Sequence, residues 1–392
     1  MRRLLGMTAF AMAISTAGVA QAETVKIGLI APFSGGFAIW GEQFQRSVQA
    51  FQKVNGTSVN GNEVEVIYRD VGGADPAKSK QLAEELILRD EIKFLTGFAF
   101  TPNALAVAEL ITEAEMPTVI MNAATSVITR QSPMYVRVSF TLSQQCEVLA
   151  AWAYTDAGYR RAYTLVSDYA PGHDGETQFV KTFTELGGEI IESVRAPLPT
   201  TDFAPYLENV LQAKPDVLFG FMPAGPPSIA MTQTWASRGV KDADIPLVAT
   251  GETQEIFLDA IGEAALGIIT AQHYSLDIDN EQNKLLQSTL TEMFGEKAIP
   301  DIASVAAWDA MRLMYDALAE LGPDAAGADY IEFMKGREID SPRGPIMIDP
   351  ETRDIIQNIY LRKVVMKDGK MTNETFATVE KVKDPWKVAN PE

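Results

Sequence analysis

Apolar residues along this chain gather into short, nearly continuous runs, separated by stretches in which they recur at helical spacing. Val25–Ala31, Glu63–Arg69, Lys93–Phe98, Thr118–Asn122, Ala162–Ser167, Glu189–Arg195, Val217–Phe221, Leu247–Thr250 and Ile268–His273 read as strands. Between the first two, Trp40, Phe44, Val48 and Phe51 form one stripe of a helix. Strands that are apolar on both faces and joined through helices predict parallel sheets covered on both sides. Ile302–Leu321 reads as a long buried helix, and the strand beginning "IIQNIYL" reaches a turn at Asp368-Gly369, which predicts a hairpin at a sheet edge.

The pattern occurs twice in the same order. "LIAPFSGG" is matched by "TLVSDYAPGHDG", "VEVIYRDVGGADPA" by "EIIESVRAPLPTTDFAP", "IKFLTGFAFTP" by "PDVLFGFMPAGP" and "MPTVIMNAATS" by "IPLVATGETQE". Two similar α/β lobes are predicted. In open α/β sheets ligands bind beyond the carboxyl ends of the strands, where these Pro/Gly turns lie.

The turn after the first strand, Ser34-Gly35-Gly36, has the outline of a phosphate loop. It has no following lysine and no Gly-x-Gly-x-x-Gly, so a nucleotide is not indicated. A helix start of this kind also suits a carboxylate.

Composition narrows the function. The 392 residues carry a formal net charge of −19, which argues against nucleic acid and anionic lipid surfaces. Arg2 and Arg3, the apolar run Leu4 to Ala13 and the closing Ala20-Gln21-Ala22 read as a secretory signal over residues 1–22, with the mature chain starting near Glu23. The single cysteine, Cys146, cannot pair within the chain and is expected in a core. Neither histidine, His173 or His273, has metal-ligand spacing. No nucleophile elbow is present, and His173–Asp174 is the only dyad with catalytic potential. Nothing calls for a cofactor, and a non-enzyme is expected.

Taken with the leader, "VKIGLIAPFSGGFAIWGEQ", "GFAFTPNALAVAELI", "MPTVIMNAATSVIT", "TLVSDYAPGHDG" and "SPRGPIMIDPETRD" resemble the periplasmic solute-binding proteins of ABC importers, of the leucine/isoleucine/valine-binding family. The resemblance covers essentially the whole mature chain. It implies the type I periplasmic binding fold: two Rossmann-like lobes joined by a three-strand hinge near Val138–Thr141, Gln272–Ser275 and Gly344–Asp349. Lobe 1 would comprise residues 23–140 and 273–347, lobe 2 residues 141–272 and 348–392.

It further implies a periplasmic monomer that captures an amino acid or related small carboxylate and delivers it to a permease with ATPase subunits. Thr101 and Thr125 would bind the ligand carboxylate through hydroxyl and amide donors, Ala123 through its backbone, and Trp40 would pack on the ligand. Glu252 falls where amino-acid binders keep an acid for the ammonium. The pattern also departs from the family's: the first-lobe disulfide is absent, Phe98, Phe100, Pro102 and Asn103 replace a serine-rich loop, and Met222 and Pro223 stand where a tyrosine is expected. Tyr169 and His173 populate the neighbouring loop. More aromatic surface suits a larger or aromatic carboxylate. A sensory receptor of the same fold and, more remotely, a secreted hydrolase are the alternatives.

Overall fold

The computed structural model describes residues 23–198 and 200–391; the leader falls outside them. The first sheet has the order β2-β3-β1-β4-β5-β6. Its strands are β1 (Thr24–Ala31), β2 (Ser58–Val59), β3 (Asn62–Asp70), β4 (Phe94–Gly97), β5 (Thr118–Ile120) and β6 (Tyr135–Arg137), all parallel except the short β2. The second sheet repeats the core order as β8-β7-β9-β10-β11, from β7 (Arg161–Ser167), β8 (Glu189–Ala196), β9 (Val217–Phe221), β10 (Leu247–Ala249) and β11 (Ile269–Gln272), again parallel. The fourfold block repeat in the sequence is thus a repeat of strand order.

The remaining strands, β12 (Glu338–Ser341), β13 (Gly344–Ile348), β14 (Ile355–Lys367) and β15 (Lys370–Val382), extend the second sheet: β14 joins antiparallel to β11, β13 and β15 pair antiparallel with β14, and β12 pairs antiparallel with β13. β14 is not the edge itself, because β11 and β15 both pair with its stretch Tyr360–Lys363 and therefore lie on opposite flanks. Asp368 and Gly369 both have positive φ, as a two-residue hairpin turn requires.

Helices α1 (Ala38–Asn55), α2 (Pro76–Leu88), α3 (Thr101–Ala106), α4 (Ala108–Glu113) and α5 (Ile128–Gln131) belong to the first half. The chain then crosses into α6 (Leu142–Thr155), α7 (Ala170–Glu185), α8 (Ala204–Ala213), α9 (Pro226–Ser237) and α10 (Glu255–Ile261). After β11 it returns: α11 (Glu281–Phe294) and α12 (Ile302–Leu321) pack on α1, and α13 (Gly327–Met334) on α12. Phe51 of α1 meets Trp308 and Tyr315 of α12 edge to face at 5.3 and 5.1 Å. The short α14 (Pro385–Ala389) ends the chain against α6. Cys146 is fully buried on α6, and burial pushes its thiol well up.

Both lobes open with the same close approach. A Cβ on Gly41 would lie 2.3 Å from the Pro32 carbonyl, and one on Gly172 would lie 2.0 Å from the Ser167 carbonyl. Only glycine lets α1 and α7 press so closely on the strand ends that precede them.

The crossings are tied together by buried charge. Arg343, just before β13, donates to Asp309 of α12, to the Ser139 and Val138 carbonyls of the first crossing, and to Gln357 of β14. Arg137 donates to the carbonyls of Thr125 and Phe140 and pairs with Asp354 at 2.9 Å. Burial raises Asp309 to about 6, against the pull of Arg343. Arg343→Met would strand Asp309 without its cation; a loss of about 3–5 kcal/mol in urea-unfolding stability is expected, and a loss below about 1 kcal/mol would show that the knot is not structural.

Candidate functional site

A cleft lies between the two sheets, beyond the carboxyl ends of their strands. From the first lobe come Trp40 of α1, the Ala99–Thr101 loop after β4, and Asn122 and Ala124 after β5. From the second come Tyr169 after β7, Phe221–Ala224 at the end of β9, and Thr250-Gly251 after β10. Phe140, Leu142, Gln145 and Gln272 close the hinge side.

The walls are largely aromatic. Tyr169 and Phe221 stack at 6.2 Å with 16° between planes, and Phe37 braces Phe100 edge to face at 5.0 Å. Phe140 lies over His273 at 4.7 Å. Ring faces and edges of this kind suit an aromatic ligand. The lobes touch across the cleft, where the Trp40 indole N–H donates to the Ala224 carbonyl at 3.2 Å. A second contact between the lobes is the Ser126 amide, which donates to Asp174 at 3.0 Å.

No charged side chain is among the described residues lining the cavity. Buried His273 is held far below its ordinary range, by burial first and then by Arg343 and Arg362, so it stays neutral. Burial raises Tyr169, which remains a phenol. The Thr101 hydroxyl, fully buried in the first-lobe wall, lies 3.0 Å from that of Thr125. An anion here would meet neutral donors at the start of α3, with the Arg137 guanidinium behind them on the Thr125 carbonyl.

The chain matches the periplasmic binding protein family over residues 24–370. It belongs to that family. It is 41% identical to the Leu/Ile/Val-binding protein homolog 6 of Brucella melitensis over 383 residues, 97% of this chain and 98% of the relative. Among solved structures it is similar to an ABC-transporter solute-binding protein from R. palustris in complex with 4-hydroxybenzoate (39% identity, TM-score 0.91, covering 94% of this chain and 100% of the other). A second, from Rhodopseudomonas palustris BisB5 with 3,4-dihydroxy benzoic acid, shares 42% identity at a TM-score of 0.89, covering 93% and 99%. A leucine binding protein from Thermotoga maritima, 24% identical with a TM-score of 0.80 and 91% and 99% covered, shares the fold.

Against this family background, Trp40, Phe100, Thr101, Tyr169 and Met222 come together on the cavity wall. Ala123, Thr125 and Glu252 stand behind it. The Ala123 amide is spent on the Phe98 carbonyl at 2.8 Å, and Ala124 takes the lining position. Thr125 touches the site through Thr101. Glu252 is fully buried, its carboxylate accepting from the amides of Met222 at 2.6 Å and Thr250 at 2.8 Å. It ties the β9 and β10 loops together.

The Ser34-Gly35-Gly36 turn wraps an anion of the protein itself: Asp70 accepts from the Phe33 amide and the Ser34 hydroxyl. Although burial acts the other way, these bonds and that from Gly72 hold Asp70 below the usual carboxylate range. His173 and Asp174 are not paired. His173 Nε2 lies 2.7 Å from exposed Asp168, at the start of a helix rather than in a loop.

As lining residues of the site, Gln145 and Gln272 escaped sequence reading, although Gln272 lies in an expected crossing. Gln145 and Gln272 are polar positions inside otherwise apolar segments, "CEVLAAWA" following the first and "GIITA" preceding the second, and that mismatch is the signal they carry.

Burial pushes the Glu252 carboxyl up to about 7, in spite of its backbone donors. A carboxyl raised in the folded state favours folding at low pH, and the benefit fades as pH rises from its ordinary range to about 7. Replacing it by Glu252→Gln removes that slope. The stability of wild type relative to the variant is expected to fall by roughly 2–3 kcal/mol between about pH 5 and about pH 8, measured by urea unfolding; a difference that grows with pH would contradict the assignment.

Proposed function

We propose that this protein is the periplasmic receptor of an ABC importer and that its solute is an aromatic carboxylate. The observation that carries the reading is the disposition of charge. The acid expected to hold an α-ammonium, Glu252, is buried behind Met222 with both oxygens occupied by backbone amides, and no other carboxylate is among the described lining residues. An ammonium brought into this cavity would be buried without a counter-ion, at a cost of several kcal/mol. A carboxylate would find charge-assisted hydrogen bonds from neutral donors at the α3 end, and an aromatic ring would lie among Trp40, Phe100, Tyr169 and Phe221. The aromatic acids bound by the R. palustris relatives support the same choice over leucine.

Capture works by closure. Lobe 1, residues 23–140 with 273–347, and lobe 2, residues 141–272 with 348–392, move about the crossings, and a ligand touching both favours the closed form. The closed monomer then docks on a permease whose ATPase subunits drive import. The leader directs export, with cleavage near Ala22/Glu23.

Thermal unfolding with benzoates and with branched-chain amino acids tests the reading, since a ligand at 100 times its Kd adds about 2.7 kcal/mol. Benzoates are expected to raise Tm and leucine to leave it unchanged; the reverse order overturns the proposal. Thr101→Val is expected to weaken benzoate binding about tenfold to a hundredfold, because a hydrogen bond to a charged group contributes about 1.5–3 kcal/mol. Calorimetry showing unchanged affinity would remove Thr101 from the site.

A further inference from the structure

The hinge side of the cavity holds polar groups with nothing to bond. Gln145, fully buried and lining the cavity, donates its amide nitrogen to Gln272 Oε1, yet its own Oε1 has no partner among the described residues. Gln272 Oε1 also accepts from the His273 amide at 2.8 Å, while the Gln272 amide nitrogen, on the cavity wall, has no acceptor among the described residues. The two side-chain amides therefore make one of the two hydrogen bonds a matched pair can make. Gln254, fully buried, bonds through neither of its amide atoms. A Cβ on Gly251 would stand 3.5 Å from the amide nitrogens of both Gln254 and Gln272, so the two converge where the lining backbone is bare.

Buried amides left open in this way cost stability unless something bonds them. The open acceptor of Gln145 and the open donor of Gln272 define what that is. A carboxylate would be repelled by the Gln145 oxygen, an ammonium by the Gln272 amide, and a methyl group would leave both unpaired. A hydroxyl gives a proton to one and accepts from the other. Reversing the assignment of either amide's oxygen and nitrogen still leaves neutral amide donors and acceptors in the group.

We propose that Gln145 and Gln272 form a subsite that reads a hydroxyl on the ligand's ring, at the end of the cavity away from its carboxylate, with Gln254 supporting it. The proposal rests on the aromatic-carboxylate reading and refines it: the preferred solutes are hydroxylated benzoates, and benzoate itself is a poor one. Discrimination by such a site is steep, since the analogue lacking the hydroxyl leaves buried polar groups unpaired.

The experiment is calorimetric titration of the full mature chain with benzoate, 3-hydroxybenzoate and 4-hydroxybenzoate. Wild type is expected to bind at least one hydroxybenzoate about tenfold or more tightly than benzoate. Gln145→Leu is expected to shrink that preference to within about threefold, chiefly by weakening the hydroxybenzoate. Because Gln145 also braces the hinge, Gln272→Met serves as the second variant and is expected to do the same. Equal affinity of wild type for benzoate and both hydroxybenzoates, or an undiminished preference in a folded variant, overturns the subsite and leaves the aromatic reading standing. Failure of all three acids to bind overturns both.

Discussion

One buried guanidinium governs how the two halves of this molecule relate. Arg343 reaches Asp309 on a helix that completes the first lobe, two carbonyls of the first crossing, and Gln357 on a strand of the second sheet. A planar fork of donors can satisfy so many acceptors at once, which a lysine cannot. Arg137 does comparable work nearby, fastening the β5–α5 loop and the crossing backbone to Asp354. The crossings are pinned in this way by buried, fully engaged cations, so the backbone between the two sheets is braced on both sides.

The same economy of charge shapes the binding site. Charged groups are abundant just behind the walls, yet each is already engaged: Glu252 by backbone amides, Asp174 by the Ser126 amide, and Arg137 by carbonyls and a carboxylate. What faces the solute is neutral. Selection by sign then comes from oriented dipoles and from the absence of a counter-ion, a form of rejection built on desolvation.

Much of the fold was legible in the sequence because buried parallel strands are near-continuous apolar runs, and the doubled block order survived as doubled strand order. Short strands were missed: Ser58–Val59 is too brief for periodicity, and Tyr135–Arg137 carries a buried arginine in its apolar run. The site was only partly legible. Trp40, Phe100 and Thr101 sit at the helix starts that follow β1 and β4, a position that follows from topology. Whether Glu252 faces the cleft or the protein depends on which amides it can reach, and that is decided by the β9 loop some thirty positions earlier. Gln145 and Gln272 are 127 positions apart, and only folding makes them a pair.

The indole of Trp40 spans the cleft to a carbonyl of the opposite lobe, a contact made between the lobes themselves. Its bond adds the same increment to the shut conformation whatever molecule lies inside, so it sets a baseline for shutting rather than a preference among cargoes. A firmer clasp would tighten retention of every cargo equally and slow unloading at the membrane. A weaker one would make scavenging inefficient at low supply. A single neutral hydrogen bond, modest even where it is buried between the lobes, keeps that compromise within thermal reach.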